Sequence, residues 1–229
     1  MEKLIIVGLG KTASHVLSFV KMHNLFDVIG CAVNKEYQKE NSFCGLPVFT
    51  LESLKEEAPC QDFSLFIAVL WNHLNRDRKQ IYEYCKSKGD KLTNLISPLS
   101  VIRGTIKGDN CWIHDYVVIQ NDAILESNIP VMAYTLIGAN SHVASHCFFG
   151  ARSILGGGST VGEQAFVGLN ATIFDDTAIG CKCIIGACTA VKRNVPDFSR
   201  YVTPSDNIVI KRYPEDDIEN KLIFSLNVR

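Results

Sequence analysis

The sequence predicts a two-part fold, an α/β domain with a small parallel sheet over residues 1–97 followed by an all-β parallel β-helix over residues 98–212. Before residue 97, short apolar runs alternate with stretches of helical pattern, and this alternation is typical of a parallel sheet covered by helices. From residue 101 onward the helical pattern stops, and hydrophobic residues recur at every sixth position instead. The last residues, 213–229, form a C-terminal tail without an assignable role, for which we expect a short helix packed on an oligomer.

The elements of the first domain follow one another in a Rossmann-like order. Apolar runs predict strands over residues 4–7, 27–33 and 63–69, and a short last strand over 91–96. Helical patterns predict helices over 13–22 and 75–87, and a glycine-containing turn over 8–12 joins the first strand to the first helix.

The second domain is predicted from a period of six. Every sixth residue from 101 to 191 gives sixteen positions, of which fifteen are hydrophobic and only Lys107 is not. The residue four places after each of them is small or β-branched, and glycine often follows the hydrophobic residue directly. We interpret each hexad as one flat side and a corner of a three-sided coil, with about 18 residues per coil and five coils in all. The first position points inward, the fifth fills the remaining interior, and glycine eases the corner.

Composition excludes several classes of function. The 23 basic and 24 acidic residues give a formal net charge of −1, so neither nucleic acid nor an anionic membrane is an expected partner. No apolar run is long enough for a signal peptide or a membrane span, which predicts a soluble, cytoplasmic protein. The nine cysteines are odd in number and lack a C-x-x-C pair, so we expect reduced thiols that fill the interior, and no metal site.

Residues 1–212 resemble a family of bacterial sugar acyltransferases of surface-glycan pathways, in which a small nucleotide-binding domain precedes a left-handed parallel β-helix of hexapeptide repeats. The stretches that carry the resemblance are the hexads of 101–192, residues 5–10 (IIVGLG), 45–48 (GLPV), 65–69 (LFIAV) and 95–102 (LISPLSVI). The resemblance implies transfer of an acyl group, usually acetyl from acetyl-CoA, to an amine or hydroxyl of a nucleotide-activated sugar. It also implies a homotrimer with each active site between neighbouring subunits, and an N-terminal domain that holds the nucleotide.

The candidate nucleotide-sugar site lies at the carboxyl ends of the first domain's strands. The turn after the first strand places backbone N–H groups and a helix N-terminus where an anion is favoured. It lacks the third glycine of the dinucleotide fingerprint, and no acidic residue ends the second strand, so we favour a nucleotide sugar over NAD. A tight turn with only a structural role, and a Trp71 that only covers the domain junction, remain alternatives. The candidate residues are Gly8, Gly10, Lys11, Thr12, Asn34, Trp71 and Asn72.

Amine attack on a thioester requires the amine to lose a proton. In the resembling family the base is usually a His at the third position of a hexad, but here that position is Ala139, followed by Asn140. Two histidines, His142 and His146, lie nearby in the sequence. Both stack, coil upon coil, with residues that we expect to face outward. Either can replace the missing base or be a surface residue only. Alternatively the enzyme has no base, because a partly neutral sugar amine is oriented by Asn140.

The substrate and donor follow from the same reasoning. Because a hydroxyl does not react without a base, the missing family His favours an amino sugar, and we expect an N-acetyltransferase acting on a UDP- or dTDP-4-amino-deoxysugar. An O-acetyltransferase and a non-catalytic nucleotide-sugar-binding trimeric scaffold remain alternatives. Acetyl-CoA is expected along the later coils, near Gly157, Gly158, Ala187 and Lys192. A glycine run that only forms a tight corner, and a lysine that is only solvated, remain alternatives.

Overall fold

The computed structural model of the chain describes residues 1–60 and 62–202. The tail over 213–229 and the end of the second domain over 203–212 lie outside the described residues. Within them the predicted fold class is confirmed, since a mixed α/β sheet is followed by three sheets of short parallel strands.

The first domain is a five-stranded sheet with the order β3-β4-β2-β1-β5, parallel except for the pair β3 and β4. The strands β1 to β5 span Lys3–Val7, Asp27–Val33, Ser42–Phe43, Leu46–Thr50 and Ser64–Ile67, and the helices α1 to α3 span Lys11–His23, Leu54–Glu57 and Arg76–Ser87, with a 3-10 turn at Lys35–Tyr37. The interior strand β1 is apolar on both faces because helices cover the sheet on both sides.

Helix α1 forms because its apolar residues recur at helical spacing. Ala13, Val16, Phe19 and Val20 are buried against the sheet, and Asn24 ends the helix in the left-handed conformation, with a φ of 52°. The helix begins two residues earlier than predicted. The hairpin of β3 and β4 was not predicted, since β3 has only two residues and Pro47 interrupts the apolar run of β4.

The predicted strand over 91–96 is wrong in extent. Leu92 makes only an isolated bridge to Leu65, and the strand that forms, Leu95–Ile96, belongs to the β-helix. The β-helix therefore begins a few residues before the predicted boundary.

The β-helix has three flat faces, which we number in the order that the chain visits them. Face 1 contains Leu95–Ile96, Trp112–Ile113, Pro130–Val131, Phe148–Phe149, Phe166–Val167, Ile184–Ile185 and Arg200–Tyr201. Face 2 contains Val101–Ile102, Val118–Ile119, Leu136–Ile137, Ile154–Leu155, Thr172–Ile173 and Ala190–Val191. Face 3 contains Thr105–Ile106, Ile124–Leu125, His142–Val143, Thr160–Val161 and Ala178–Ile179. These strands make five full coils, as predicted, and part of a sixth.

The hydrophobic ladder points inward as predicted from Ile113 to Val191, and its members are buried. The first two predicted positions are wrong. Val101 is exposed on face 2, and the inward residues of the first coil are Ile96, Ile102 and Ile106. Lys107 breaks the period of six because the corners of the first coil differ in length. The strand on face 3 therefore ends at Ile106, one residue earlier than the period predicts.

The corners explain the remaining pattern. The small fifth positions are buried from Cys111 to Thr189. At Gly138 the glycine after the inward residue is required by the next coil, since a Cβ there would lie 2.5 Å from the backbone nitrogen of Gly157. The fourth position is left-handed in each hexad from Asn110 to Cys188. We name the corners by the faces that they join.

Candidate active site

A cavity of about 620 Å³ opens at the carboxyl ends of β1, β2 and β5. Its lining includes three of the predicted nucleotide-sugar residues, Gly8, Asn34 and Asn72. Helix α3 forms one wall with Asp77, Gln80, Ile81 and Tyr84, and Tyr37 and His73 complete the rim. The strand order changes direction beside β1, and ligands of open α/β sheets bind at such a switch point.

A smaller cavity of about 250 Å³ adjoins the first and shares Gly8 and Asn72 with it. Gly10, Thr12 and Trp71 line this second space. Lys11, the first residue of α1, is exposed. Of the seven predicted residues, six therefore line one of two contiguous cavities.

The N-terminus of α1 faces these cavities without a side-chain cap. Gly10 occupies the N-cap position, and the first turn contains no acidic residue. Gly8 has a φ of 129°, and a Cβ there would lie 3.2 Å from the carbonyl oxygen of Ala68, so glycine is required at this turn. The local field and the free N–H groups of a helix start favour an anionic group.

Trp71 lies at the junction of the two domains. Its ring packs edge-on against Phe148, with centroids 4.9 Å apart, and against Phe166 at 6.4 Å. Phe148 and Phe166 stack on successive coils of face 1. Trp71 thus covers the junction and borders the smaller cavity at once.

The predicted β-helix residues gather largely at the 2–3 corner. Asn140, Gly157 and Gly158 lie on successive coils there, and the backbone N–H of Gly158 donates to the carbonyl of Ala139. Lys192 lies on the same corner, where its Nζ sits 5.5 Å from the centre of the Phe174 ring. Ala187 lies on the 1–2 corner instead, between Ile184–Ile185 and Ala190–Val191.

His142 stands on face 3, directly beside the 2–3 corner. It pairs with Ile124 and Thr160 on the coils before and after it, as the spacing predicts. Its Nε2 lies 3.1 Å from Oε1 of Glu126, and the side chains of both residues are partly exposed. A carboxylate in this position fixes the orientation of the ring.

His146 is not on an exposed surface, contrary to the prediction. It is 7% exposed because α3 covers the 3–1 corner, and its Nδ1 lies 2.8 Å from Nδ2 of Asn128. Burial, reinforced by the positive charge of Lys79, lowers the pKa of His146 to about 4. The column that holds His146 points outward from the coil, but the first domain lies on top of it.

The two cavities and His142 are separate within one chain. Among the described residues, none from face 3 lines either cavity. The first domain packs on face 1 and on the two corners that flank it, whereas His142 lies at the edge of face 3 beside the 2–3 corner. A single chain therefore does not place His142 among the residues that line either cavity.

Solved structures similar to this one come from sugar N-acetyltransferases. A histidine-to-alanine variant of GDP-perosamine N-acetyltransferase from Caulobacter crescentus, in complex with CoA and GDP-perosamine, is 25% identical, with a TM-score of 0.77 over 89% of this chain and 94% of that chain. The chain has the fold of the sugar N-acetyltransferases. The acetyltransferase domain of PglB from Neisseria gonorrhoeae, in complex with acetyl coenzyme A, shares it at 21% identity, with a TM-score of 0.75 over 88% and 96% of the two chains. No protein-family model matches the sequence, and no curated protein sequence matches it significantly.

The sugar N-acetyltransferase fold confirms the predicted resemblance, including the left-handed parallel β-helix. In residues 1–60 and 62–202 no group of three or more His, Cys, Asp or Glu side chains is arranged to hold a metal ion. In the same part of the chain, no helix has both the length and the apolar character needed to cross a lipid bilayer.

Sequence reasoning missed two residues at these sites. Glu126 was detectable from the sequence. With 18 residues per coil, His142 lies above Ile124 and Ala144 lies above Glu126, so Glu126 is only two positions from the residue beneath His142. Arg78, which is completely buried between α3 and the β-helix, gave no signal, because its contacts join segments far apart in sequence.

Proposed function

We propose that this protein is an acetyl-CoA-dependent N-acetyltransferase that acts on a nucleotide-linked amino sugar, of the UDP- or dTDP-4-amino-deoxysugar type, in surface-glycan biosynthesis in the cytoplasm. The observation that carries the proposal is the combination, in this fold, of a cavity at a nucleotide-binding position with a partly exposed His142–Glu126 pair on the β-helix. The structural neighbour from C. crescentus, solved with CoA and GDP-perosamine, supports both substrate classes.

The proposed reaction is direct attack of the sugar amine on the thioester. The amine nitrogen forms a bond to the acetyl carbonyl carbon, the carbon–sulfur bond breaks, and CoA leaves as the thiolate. Nδ1 of His142 accepts the proton lost by the amine, while Glu126 holds Nε2 and stabilises the imidazolium. The proton then passes to the thiolate, so that His142 is neutral for the next turnover.

The nucleotide and the donor occupy different parts of the molecule in this proposal. The nucleotide lies in the cavities lined by Gly8, Asn34 and Asn72, with its phosphates at the start of α1. CoA runs along the 2–3 corner past Gly157 and Gly158, and Lys192 meets its phosphates there. Ala187 lies on the 1–2 corner instead. It contacts the donor only if CoA bends across the far end of face 2.

A homotrimer is part of the proposal, because one chain keeps the cavities and His142 apart. The outward side chains of face 2 support a contact between copies, since they form an apolar ladder of Val101, Val118, Leu136 and Ile154. Of these, Val101 and Ile154 are exposed in the single chain. Apolar surface of this kind is favourable to bury against another copy.

The main alternative is a reaction without a base. Ala139 occupies the position of the usual family base, and Asn140 is exposed beside it at the 2–3 corner, where an amide can orient an amine. An O-acetyltransferase, by contrast, requires the His142–Glu126 pair, because a hydroxyl must lose its proton.

The proposal is tested by following thiol release from acetyl-CoA with a panel of UDP-, dTDP- and GDP-linked amino sugars. Each amino sugar is paired with the matching sugar that carries a hydroxyl in place of the amine. We expect turnover with at least one amino sugar and none with its hydroxyl partner. Turnover only with hydroxyl sugars would establish O-acetylation, and no release with any acceptor would favour a non-catalytic scaffold.

A further inference from the structure

Helix α3 has two functional faces. Asp77, Gln80, Ile81 and Tyr84, at the spacing of one helix face, line the larger cavity. The other face contacts the β-helix through Arg78, Lys79, Tyr82 and Lys86, preceded by Asn75 at the helix start. One rigid element is thus both a wall of the candidate nucleotide cavity and the contact to the coils.

The helix runs along the axis of the β-helix. Asn75 donates to the carbonyl of Ala165 at one end, and Lys86 pairs with Asp109 at the other. Eleven helical residues span about 16 Å. The three coil-to-coil steps between these positions span about 14 Å, given a strand spacing of about 4.8 Å. Because these lengths match, α3 contacts four successive levels of the 3–1 corner, where each coil contributes one level.

Arg78 is the centre of this contact. Its side chain is 0% exposed and donates four hydrogen bonds, to Oδ1 of Asn128 and to the carbonyls of Leu70, His146 and Cys147, at 2.9 to 3.1 Å. These acceptors are uncharged, and they come from two levels of the corner and from the loop that borders the cavity. A planar guanidinium with this many fixed acceptors tolerates little tilt or translation of its helix.

The polar ladder beneath Arg78 extends the same contact to the sheet. Nδ2 of Asn110 donates to Oδ1 of Asn128 at 2.7 Å, and Oδ1 of Asn110 accepts from the backbone N–H of Ile67 at 2.8 Å. Ile67 is the last residue of β5, whose continuation lines both cavities. Two walls of the candidate site are therefore tied to the same column of corner residues.

We propose that Arg78 is a positioning residue, which fixes α3 on the β-helix and so holds the nucleotide cavity in its binding shape. This inference rests on the proposed function, because it assigns the wall of that same cavity. A wall that is already ordered does not have to be ordered when the nucleotide binds. Loss of Arg78 therefore weakens nucleotide binding although Arg78 touches no ligand.

The test compares Arg78→Met with Arg76→Met, a matched control on the exposed side of the same helix. Binding of UDP, dTDP, GDP and CoA is measured by calorimetry on the full chain, together with amide hydrogen exchange of α3. For Arg78→Met we expect about tenfold weaker binding of the preferred nucleotide, CoA affinity within about twofold of wild type, and faster exchange in α3. Arg76→Met is expected to match wild type in all three.

Arg78→Lys and Asn128→Ala keep the test decisive if Arg78→Met does not fold, since each removes only part of the network. Both are expected to weaken nucleotide binding by less than Arg78→Met while CoA binding is kept. Unchanged nucleotide affinity in folded Arg78 variants would overturn the positioning role alone. Failure of the wild type to bind any of the nucleotides would overturn the proposed function, and this inference with it.

Discussion

His142 and Glu126 lie on neighbouring coils, 3.1 Å apart between Nε2 and Oε1, with His142 beside the corner that carries Asn140 and Glu126 past the other end of the face 3 strand. Ala139 occupies the position of the base expected from the resemblance. Neither His142 nor Glu126 lies at that position, in the sequence or in the coil. If the pair is catalytic, the base has moved from the corner onto the adjoining face.

Replacing His142 by alanine is expected to lower kcat by about a hundredfold or more, because positioned proton transfer contributes on this scale. The KM for acetyl-CoA is expected to stay within about twofold. Thr160→Val, a change on the next coil of the same face, serves as the matched control and is expected to retain wild-type kcat. Near wild-type kcat in His142→Ala would instead favour the reaction without a base, with Asn140 orienting the amine.

Glu126→Gln tests the carboxylate separately from the ring. The amide keeps a polar contact with Nε2 but no longer compensates the imidazolium charge, so we expect kcat to fall about tenfold, less than for His142→Ala. A double variant is expected to be no slower than His142→Ala alone, because Glu126 acts through His142. Additive losses measured in steady-state kinetics would show that Glu126 has an independent role.

The buried His146 makes the domain junction sensitive to acid. Its pKa of about 4 in the folded chain is below the value of about 6.5 expected when unfolded, so the unfolded chain binds more protons between these values. The free energy of unfolding is expected to fall by up to about 3 kcal/mol as the pH drops from 6.5 to 4.

Urea unfolding at a series of pH values checks this effect in His146→Asn. The variant is expected to lose part of the pH dependence and to keep the remainder, since burial also lowers the pKa of His114 to about 4. Tyr82→Phe keeps the titrating ring and is the control, expected to lose some stability with its hydrogen bond to Asp109 but to keep the dependence on pH that His146 causes. An unchanged slope in His146→Asn would contradict the assignment.

The small fifth position of the hexads is expected to reject a larger side chain. Ala165 is completely buried in the coil interior, so Ala165→Leu is expected to lower the free energy of unfolding by about 2 kcal/mol. Ala178→Leu places the same change on the exposed side of face 3 and is expected to cost less than about 0.5 kcal/mol. Equal effects of the two variants in thermal unfolding would refute the assigned inward and outward positions.

The apolar ladder of face 2 is tested by Ile154→Glu. We expect the wild type to sediment as a trimer and the variant as a smaller species with unchanged circular dichroism, because burying an unpaired carboxylate opposes association. Ala178→Glu, on face 3, is expected to remain trimeric. A wild-type monomer would exclude a site formed between copies.

The fold was predictable because its period is local. A hexad fixes the inward and outward side chains within six residues, and only the first coil, where Ile106 replaces Lys107 in the interior, escapes the count. The burial of His146 was not predictable in this way. It depends on where α3 docks, and that contact is made by Arg78 across long sequence distances. The position of Glu126 lay within reach of the coil arithmetic, but the distance between two side chains depends on their rotamers.

The activity proposed for this protein is transfer of an acetyl group to the amine of a nucleotide-linked sugar. The most direct measurement is NMR of the product formed from isotope-labelled acetyl-CoA and the amino sugars of the panel, with wild type and His142→Ala compared side by side. We predict a labelled amide on the sugar nitrogen, formed much faster by the wild type. A labelled ester, or no labelled sugar from any acceptor, would contradict N-acetylation.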